Sequence, residues 1–301
     1  LTLRQKILAG VILGVVVLSL ILVAVLGSRT GPEGRRATGE QIGLIRIEGM
    51  IIGGTEGSFF GLGGAEEITA QIQEAADNPN IRAVVLRLNS PGGSAAASQE
   101  ISEAVVRLRE AGKPVVVSMG DTSASGAYWI ACHADAIVAN PATITGSIGV
   151  IIQTTHLTDL YDMLGIETET FKSGPHKDMG SPDRVPTPEE RAIFQGMVDD
   201  IYAQFVAVVA RGRNMPEDQV RKLADGRIFT GRQAYELGLV DQLGDLQDAV
   251  RAAAELGGLD PDAPVVELGR RPFFRDFWGG LSSLLRPQTS WLLTAPPVEQ
   301  R

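Results

Sequence analysis

Apolar and polar positions divide this chain into stretches of different character. Residues 7–26 (ILAGVILGVVVLSLILVAVL) form one apolar run in which Ser19 is the only hydroxyl and no charge occurs. At helical rise such a run spans about 30 Å, the thickness of a bilayer hydrocarbon core. A cleavable leader has a shorter apolar region, roughly 7–15 residues, and a small-residue exit, which Ala24-Val25-Leu26-Gly27-Ser28 matches poorly. Residues 1–26 are therefore expected to be a short N-terminal stub and an uncleaved transmembrane helix. Arg4 and Lys6 precede the run and Arg29, Arg35 and Arg36 follow it, so basic flanks do not decide its orientation. Residues 27–41 are polar and without periodicity, and read as a linker.

From Ile42 the pattern changes to strands alternating with helices. Strands are predicted at Gly43–Ile52, Ala83–Leu88 (AVVLRL), Pro114–Met119 (PVVVSM), Ala136–Ala139 and Ile148–Ile152. Helices are predicted at Ala65–Asp77, at Ser94–Ala111 with Ile101, Val105 and Leu108 on one face, and at Pro188–Gly212 and Pro216–Ala224. Repeated strand-then-helix units point to an α/β fold with a largely parallel sheet. Near the C-terminus, Arg271–Leu293 concentrates Phe273, Phe274, Phe277, Trp278 and Trp291 in a chain that is only 5% aromatic. Gly279-Gly280 and Pro287 argue against a second span there, leaving an interfacial or groove-binding segment or a packed extension.

Composition mainly excludes. A net charge of −9 lacks the basic footprint of a nucleic-acid binder, and 44% hydrophobic residues exclude intrinsic disorder. The single cysteine, Cys132, excludes an internal disulfide framework and a Cys-cluster metal site, and three histidines leave little for a His-rich one. One imbalance is informative: of 27 basic residues only Lys6, Lys113, Lys172, Lys177 and Lys222 are lysines.

Three Gly/Ser-rich turns stand at strand ends, where α/β sheets hold ligands and catalytic groups. Asn89-Ser90-Pro91-Gly92-Gly93-Ser94 offers paired glycines before a helix N-terminus, the makings of an oxyanion hole, although an ordinary strand-to-helix turn uses the same residues. Asp121-Thr122-Ser123-Ala124-Ser125-Gly126-Ala127-Tyr128 holds Ser125 between small neighbours, so its hydroxyl is a candidate nucleophile and the Gly126 N–H a candidate oxyanion donor. The pattern is not G-x-S-x-G; Ser125 could be a structural cap, and Ser123 competes as N-cap of the same helix. In Thr145-Gly146-Ser147-Ile148-Gly149, Ser147 either bonds a catalytic base or closes a turn.

A serine nucleophile needs a base. His133 reads as a packed or surface residue, and His156 as a helix-start residue. His176 lies in the charged loop Lys172-Ser173-Gly174-Pro175-His176-Lys177-Asp178, which also holds two of the five lysines. Arg cannot serve as a base in a protein, whereas a desolvated Lys can. Lowering a lysine from about 10.4 toward roughly 7–8 requires its ammonium to be destabilised by about 3–5 kcal/mol, which demands burial. Two solvated loop lysines remain the plainer reading.

The ordered set SPGG (90–93), SASGAYWIA (123–131), TGSIGV (145–150), FKSGPHKDMGSP (171–182) and DGRIFTGRQAYELGLVDQLG (225–244) resembles the signal peptide peptidase A family. These are membrane-anchored Ser/Lys serine peptidases. The resemblance covers residues 42–257 and leaves 258–301 as a C-terminal extension. It implies a ClpP/crotonase-like core of repeated β-β-α units behind one transmembrane helix. It further implies Ser125 as nucleophile, Lys177 as general base with Lys172 the alternative, and Ser147 as the serine that orients the lysine. The oxyanion hole would be Gly93, with Gly92, and Gly126; His176 would have no catalytic part, and no metal or cofactor would be needed. Ala127-Tyr128-Trp129 departs from the family's usual Gly-Tyr-Tyr. A chain with one core copy resembles the short members, which form rings with Ser and Lys of neighbouring subunits completing each site. The expected partners are therefore further copies of this chain, membrane lipid and peptide substrates: signal-peptide remnants and other unfolded hydrophobic peptides. The expected topology is an N-terminus inside and a catalytic domain outside the cytoplasm. Two rival readings share the fold: a crotonase-like acyl-CoA enzyme, which would need an acidic base and no anchor, and a non-catalytic membrane scaffold.

Overall fold

The computed structural model describes residues 39–54 and 63–269, together with the isolated position Gly14. The expected transmembrane run and the aromatic tail lie outside the described residues. The chain divides into two units, 1–40 and 41–301, and all that follows concerns the second.

A parallel sheet is its backbone. Strands β1 (Gln41–Glu48), β4 (Ile81–Ser90), β5 (Val115–Ala124) and β6 (Ala136–Ala139) pair in sequence order. Strand β10 (Val265–Glu267) adds to the β1 edge, beyond the 42–257 stretch covered by the family resemblance, and β9 (Gln242–Leu243) adds to the β6 edge. Near its end β5 changes partner: Val116–Met119 pair with β6, whereas Thr122–Ala124 pair with β7 (Ile144–Gly146), which carries antiparallel β8 (Ile228–Thr230). Two short strands, β2 (Ile51–Ile52) and β3 (Gly63–Gly64), form a separate parallel pair. The expected strand Gly43–Ile52 is thus broken, at Gly49, whose φ of 71° turns the chain.

Helices cover both faces, which explains the unbroken apolar runs in the strands. Val84, Leu86 and Leu88 of β4 face a core shared with α1 (Ala65–Asp77), α2 (Ala95–Glu110) and α3 (Gly126–Ala131). Their neighbours Ala83 and Val85 face Ala249, Val250, Ala253 and Ala254 of α8 (Leu246–Leu256). Helix α2 starts where the sequence placed it, Ser94 accepting a hydrogen bond from Ala97 N–H at 3.3 Å as N-cap.

After β7 the chain leaves the sheet. The strand predicted at Ile148–Ile152 does not form: Ser147, at φ 51°, turns the backbone, and only Ile148 of the run is buried. Helices α4 (Thr158–Leu164), α5 (Pro188–Gly212), α6 (Glu217–Leu223) and α7 (Gly231–Glu236) follow. Pro188–Gly212 is the one helix among the described residues long and apolar enough to cross a membrane, and Phe205, Val206, Val208 and Val209 pack its C-terminal part into the core.

Tyr128 on α3 is fully buried and donates its hydroxyl to the Leu239 carbonyl at 2.8 Å, tying the sheet's central corner to the segment before β9. Tyr128→Phe leaves that carbonyl without its donor. Chemical denaturation should show a loss of about 1–3 kcal/mol with an unchanged slope against denaturant.

Candidate active site

The end of β5 and the start of α3 make the corner on which the site is built. Ser125 is the N-cap residue of α3 with φ 52° and ψ −121°, a conformation sparsely populated by residues with a Cβ. Its N–H donates to the Gly146 carbonyl at 2.8 Å and its carbonyl accepts from Trp129 N–H at 2.9 Å, so both flanks are held. Its hydroxyl makes no capping bond. Ser123, the competing cap, is instead buried within β5, its hydroxyl enclosed without a hydrogen-bond partner.

The turn after β4 packs directly against this corner. Gly92 has φ 101°, and a Cβ there would stand 2.7 Å from Gly126 N and 2.8 Å from Ser125 Cβ. Its N–H donates to Ser90 Oγ at 3.1 Å, and its carbonyl accepts from Ile51 N–H at 2.9 Å. The N–H groups of Gly93 and Gly126 carry no such bond among the described residues, and both glycines line the cavity onto which Ser125 opens. Gly126 is also pressed against Ser98, whose Oγ donates to the Ser94 carbonyl at 2.9 Å.

That cavity measures about 740 Å³. Ser147 lines it together with Ser125, its N–H held by the Arg227 carbonyl at 2.9 Å. The remaining wall is largely apolar: Trp129, Val150, Ile151, Ile152, Tyr202 and Phe205. Trp129 and Phe205 stack with ring centroids 4.9 Å apart. Asp225 lies at the rim, and the Arg227 guanidinium beside it (Nε–Oδ1 2.7 Å) holds its carboxyl down at about 2. Sequence reasoning missed the walls contributed by α5 and by residues 149–152. Tyr202 and Phe205 stand at helical spacing, which in sequence cannot be told from core packing.

The candidate bases are distributed differently. Lys177 is exposed, is not among the cavity-lining residues, and its ammonium has no partner among the described residues. Lys172 is committed: its Nζ bonds Asp178 Oδ1 at 2.8 Å and the Pro175 carbonyl at 3.3 Å. His176 Nε2 stands 3.5 Å from Glu189 Oε1, while its Nδ1 is enclosed without a partner. His133 follows α3 and lines a separate cavity of about 250 Å³; burial, then Arg211 and Arg109, lower it to about 4. His156 is exposed. Among the described residues no cluster of three or more His, Cys, Asp or Glu could hold a metal ion.

Comparison with known proteins decides the family. The profile of peptidase family S49 matches residues 107–260. A putative protease of Synechocystis sp. is 42% identical over 254 residues, covering 83% of this chain and 87% of that protein. The chain belongs to peptidase family S49. It is a serine peptidase. The putative signal peptide peptidase SppA of Enterococcus faecium is 37% identical over 233 residues, 77% of this chain and 67% of the other. Protease 4 of Salmonella typhi is 40% identical over 222 residues, 74% of this chain but only 35% of that longer protein. Among solved structures, a membrane-bound stomatin-specific protease superposes with a TM-score of 0.52 at 14% identity, over 77% of this chain and 99% of its own. The fold is thus shared with that protease, in line with the expected α/β peptidase core, and membership of a peptidase family speaks against the acyl-CoA and scaffold readings.

The contact between Gly126 and Ser98 gives a test of the corner in this S49 peptidase. Gly126→Ala drives a methyl group onto Ser98 Oγ and should lower peptide hydrolysis by about tenfold or more. Combining it with Ser98→Ala removes the colliding oxygen and leaves Gly93 N at 3.3 Å and the residue-98 Cβ at 3.4 Å. The double variant should recover most of the activity, giving a clear coupling in a double-mutant cycle.

Proposed function

We propose that the chain is a membrane-anchored Ser/Lys endopeptidase that degrades signal-peptide remnants and other unfolded hydrophobic peptides, with sites shared between neighbouring copies of a ring. The observation that carries this reading is Ser125: an N-cap serine in a strained conformation whose hydroxyl caps nothing and opens on a cavity with two unpaired amides.

In this mechanism Ser125 Oγ attacks the carbonyl carbon of the scissile peptide while the neutral Lys177 amine takes its proton. The tetrahedral oxyanion accepts hydrogen bonds from Gly93 and Gly126 N–H, with Gly92 shaping the turn and committing its own N–H to Ser90. The Lys177 ammonium then protonates the leaving amine, giving an acyl-enzyme and the first product. Water attacks the ester with Lys177 again taking the proton, and collapse returns it to Ser125 Oγ. Ser147 orients the amine from the cavity wall. The apolar wall suits hydrophobic side chains, and the rim carboxylate of Asp225 is neutralised by Arg227.

Lys177 is exposed in the single chain, whereas a base requires desolvation. Burial against a neighbouring subunit supplies it, and the chain leaves large apolar side chains for such contacts: Ile151, Met163 and Phe171 are 80%, 82% and 87% exposed. An N-terminal helix at residues 7–26 holds the assembly at the membrane.

Ser125→Ala and Lys177→Ala should each abolish hydrolysis of a hydrophobic peptide while the assembly persists. Mixing the two inactive variants should restore part of the activity, because some sites then receive an intact serine and an intact lysine. Full activity in either single variant rejects the dyad. No restoration in verified mixed assemblies places both groups in one subunit.

A further inference from the structure

Residues 172–183, which carry Lys177, contain no helix or strand. Their internal hydrogen bonds are short-range turns, such as Lys177 N–H to the Gly174 carbonyl at 3.3 Å and Met179 N–H to the His176 carbonyl at 3.1 Å. Such a loop has no sheet or helix to fix its orientation, so side-chain anchors must do so. One is concentrated at the residue following Lys177. Asp178 accepts two bonds from Arg184, Nε to Oδ2 at 2.9 Å and Nη2 to Oδ1 at 2.8 Å. The same guanidinium also engages Glu190 on α5, Nη1 to Oε2 at 2.8 Å and Nη2 to Oε1 at 2.6 Å.

Glu190 is itself immovable. It is only 1% exposed, sits in the first turn of α5, and completes a capping box in which Oε2 accepts from Thr187 N–H at 2.9 Å and Thr187 Oγ1 accepts from Glu190 N–H at 3.2 Å. A buried carboxylate without a cation would be strongly destabilising, so Arg184 is required at this place. Two carboxylates, Arg184 and Lys172 form a closed, charge-balanced quartet. Arg184 holds Asp178 far below the usual carboxylate range and Glu190 at about 2, so both acids stay ionised through neutral pH. Apart from this quartet, the loop's outward polar contacts among the described residues are the Leu157 N–H to Pro182 carbonyl bond at 2.9 Å and the His176–Glu189 pair at 3.5 Å.

We propose that Arg184 is a positioning residue: by gripping Asp178 and Glu190 together, it locks the loop carrying Lys177 onto the N-terminus of α5 and presents the Lys177 amine in one orientation. The inference rests on the reading of Lys177 as the base. Only a planar guanidinium can bind two carboxylates in this forked way. Lys172 adds a second cation to Asp178, on the same Oδ1 that accepts from Arg184 Nη2, while Lys177 makes no ion pair with it.

The test uses the full-length protein in detergent, with Arg184→Gln, Arg184→Lys, Asp178→Asn and Lys177→Ala. Measurements are kcat and KM for a hydrophobic peptide, thermal midpoint, assembly size, and hydrogen exchange of the segment 172–184. Arg184→Gln should lower kcat about ten- to a hundredfold with KM changed less than about twofold, as for a misplaced catalytic group. Exchange in 172–184 should quicken while assembly size is kept. Arg184→Lys, which cannot hold both acids, should fall between. If Arg184→Gln fails to fold or assemble, Asp178→Asn carries the test: it keeps shape and the buried Arg184–Glu190 pair, and should show the same selective loss of kcat. Wild-type kcat in whichever of these variants is folded overturns the proposal, as does a loss that falls wholly on KM. The two readings separate cleanly: an active Lys177→Ala overturns the base assignment, whereas an inactive Lys177→Ala beside a fully active Arg184→Gln overturns the clamp alone.

Discussion

The geometry of this molecule hangs on one strained backbone position, Ser125, where β5 ends and α3 begins. A φ of 52° at a residue with a Cβ is unfavourable by about 1–3 kcal/mol and persists only where its surroundings leave no alternative. Here they leave none. The Ser125 N–H is held by β7, Gly92 fills the space above its Cβ, and every residue of α3 is buried. Tyr128 and Trp129 both anchor that helix, one through its hydroxyl to Leu239 and the other through Phe205. The short helix could not stand alone at six residues; the core imposes it and with it the exposed hydroxyl.

From that corner the site's division of labour follows. The closeness of the β4 turn to α3 brings two unpaired amides to one side of Ser125, while the third candidate donor, Gly92, is occupied in building the turn. Fixed dipoles of this kind need not reorganise when negative charge develops. Large apolar side chains form much of the wall, its one carboxylate, Asp225, is paired with Arg227, and, in the loop carrying Lys177, Asp178 is paired with Arg184 and Lys172. Both lysines of one loop are thereby given different fates, Lys172 as a structural cation and Lys177 as an exposed amine.

Much of this was legible in the chain. The apolar runs Ala83–Leu88 and Pro114–Met119 marked β4 and β5 as buried strands, since helices pack on each side. The helical spacing of Ile101, Val105 and Leu108 marked α2, whereas the Ser94 cap and the Thr187–Glu190 capping box that start α2 and α5 came into view only with the structure. The run Ile148–Ile152 misled, as β-branched residues read as a strand wherever they occur, yet a strand requires a partner and Ser147 turns the backbone away from one. The strand β10 was missed for the converse reason: three residues have no periodicity, and pairing with β1 is what makes them a strand.

The sequence by itself determined the α/β alternation, the three Gly/Ser-rich turns and the set of candidate nucleophiles, donors and bases. These depend on spacing within a few residues. Tertiary structure alone decided which serine is strained and which is a buried strand residue, which glycine N–H groups remain available, and which lysine is already bound. It also joined Trp129 to Phe205 in one cavity wall and tied the lining residue Ser147 to Arg227. The physical reason is that strain, burial and hydrogen-bond satisfaction are properties of neighbours in space, and at this site those neighbours lie some 80 positions apart along the chain, as Ser147 and Arg227 do.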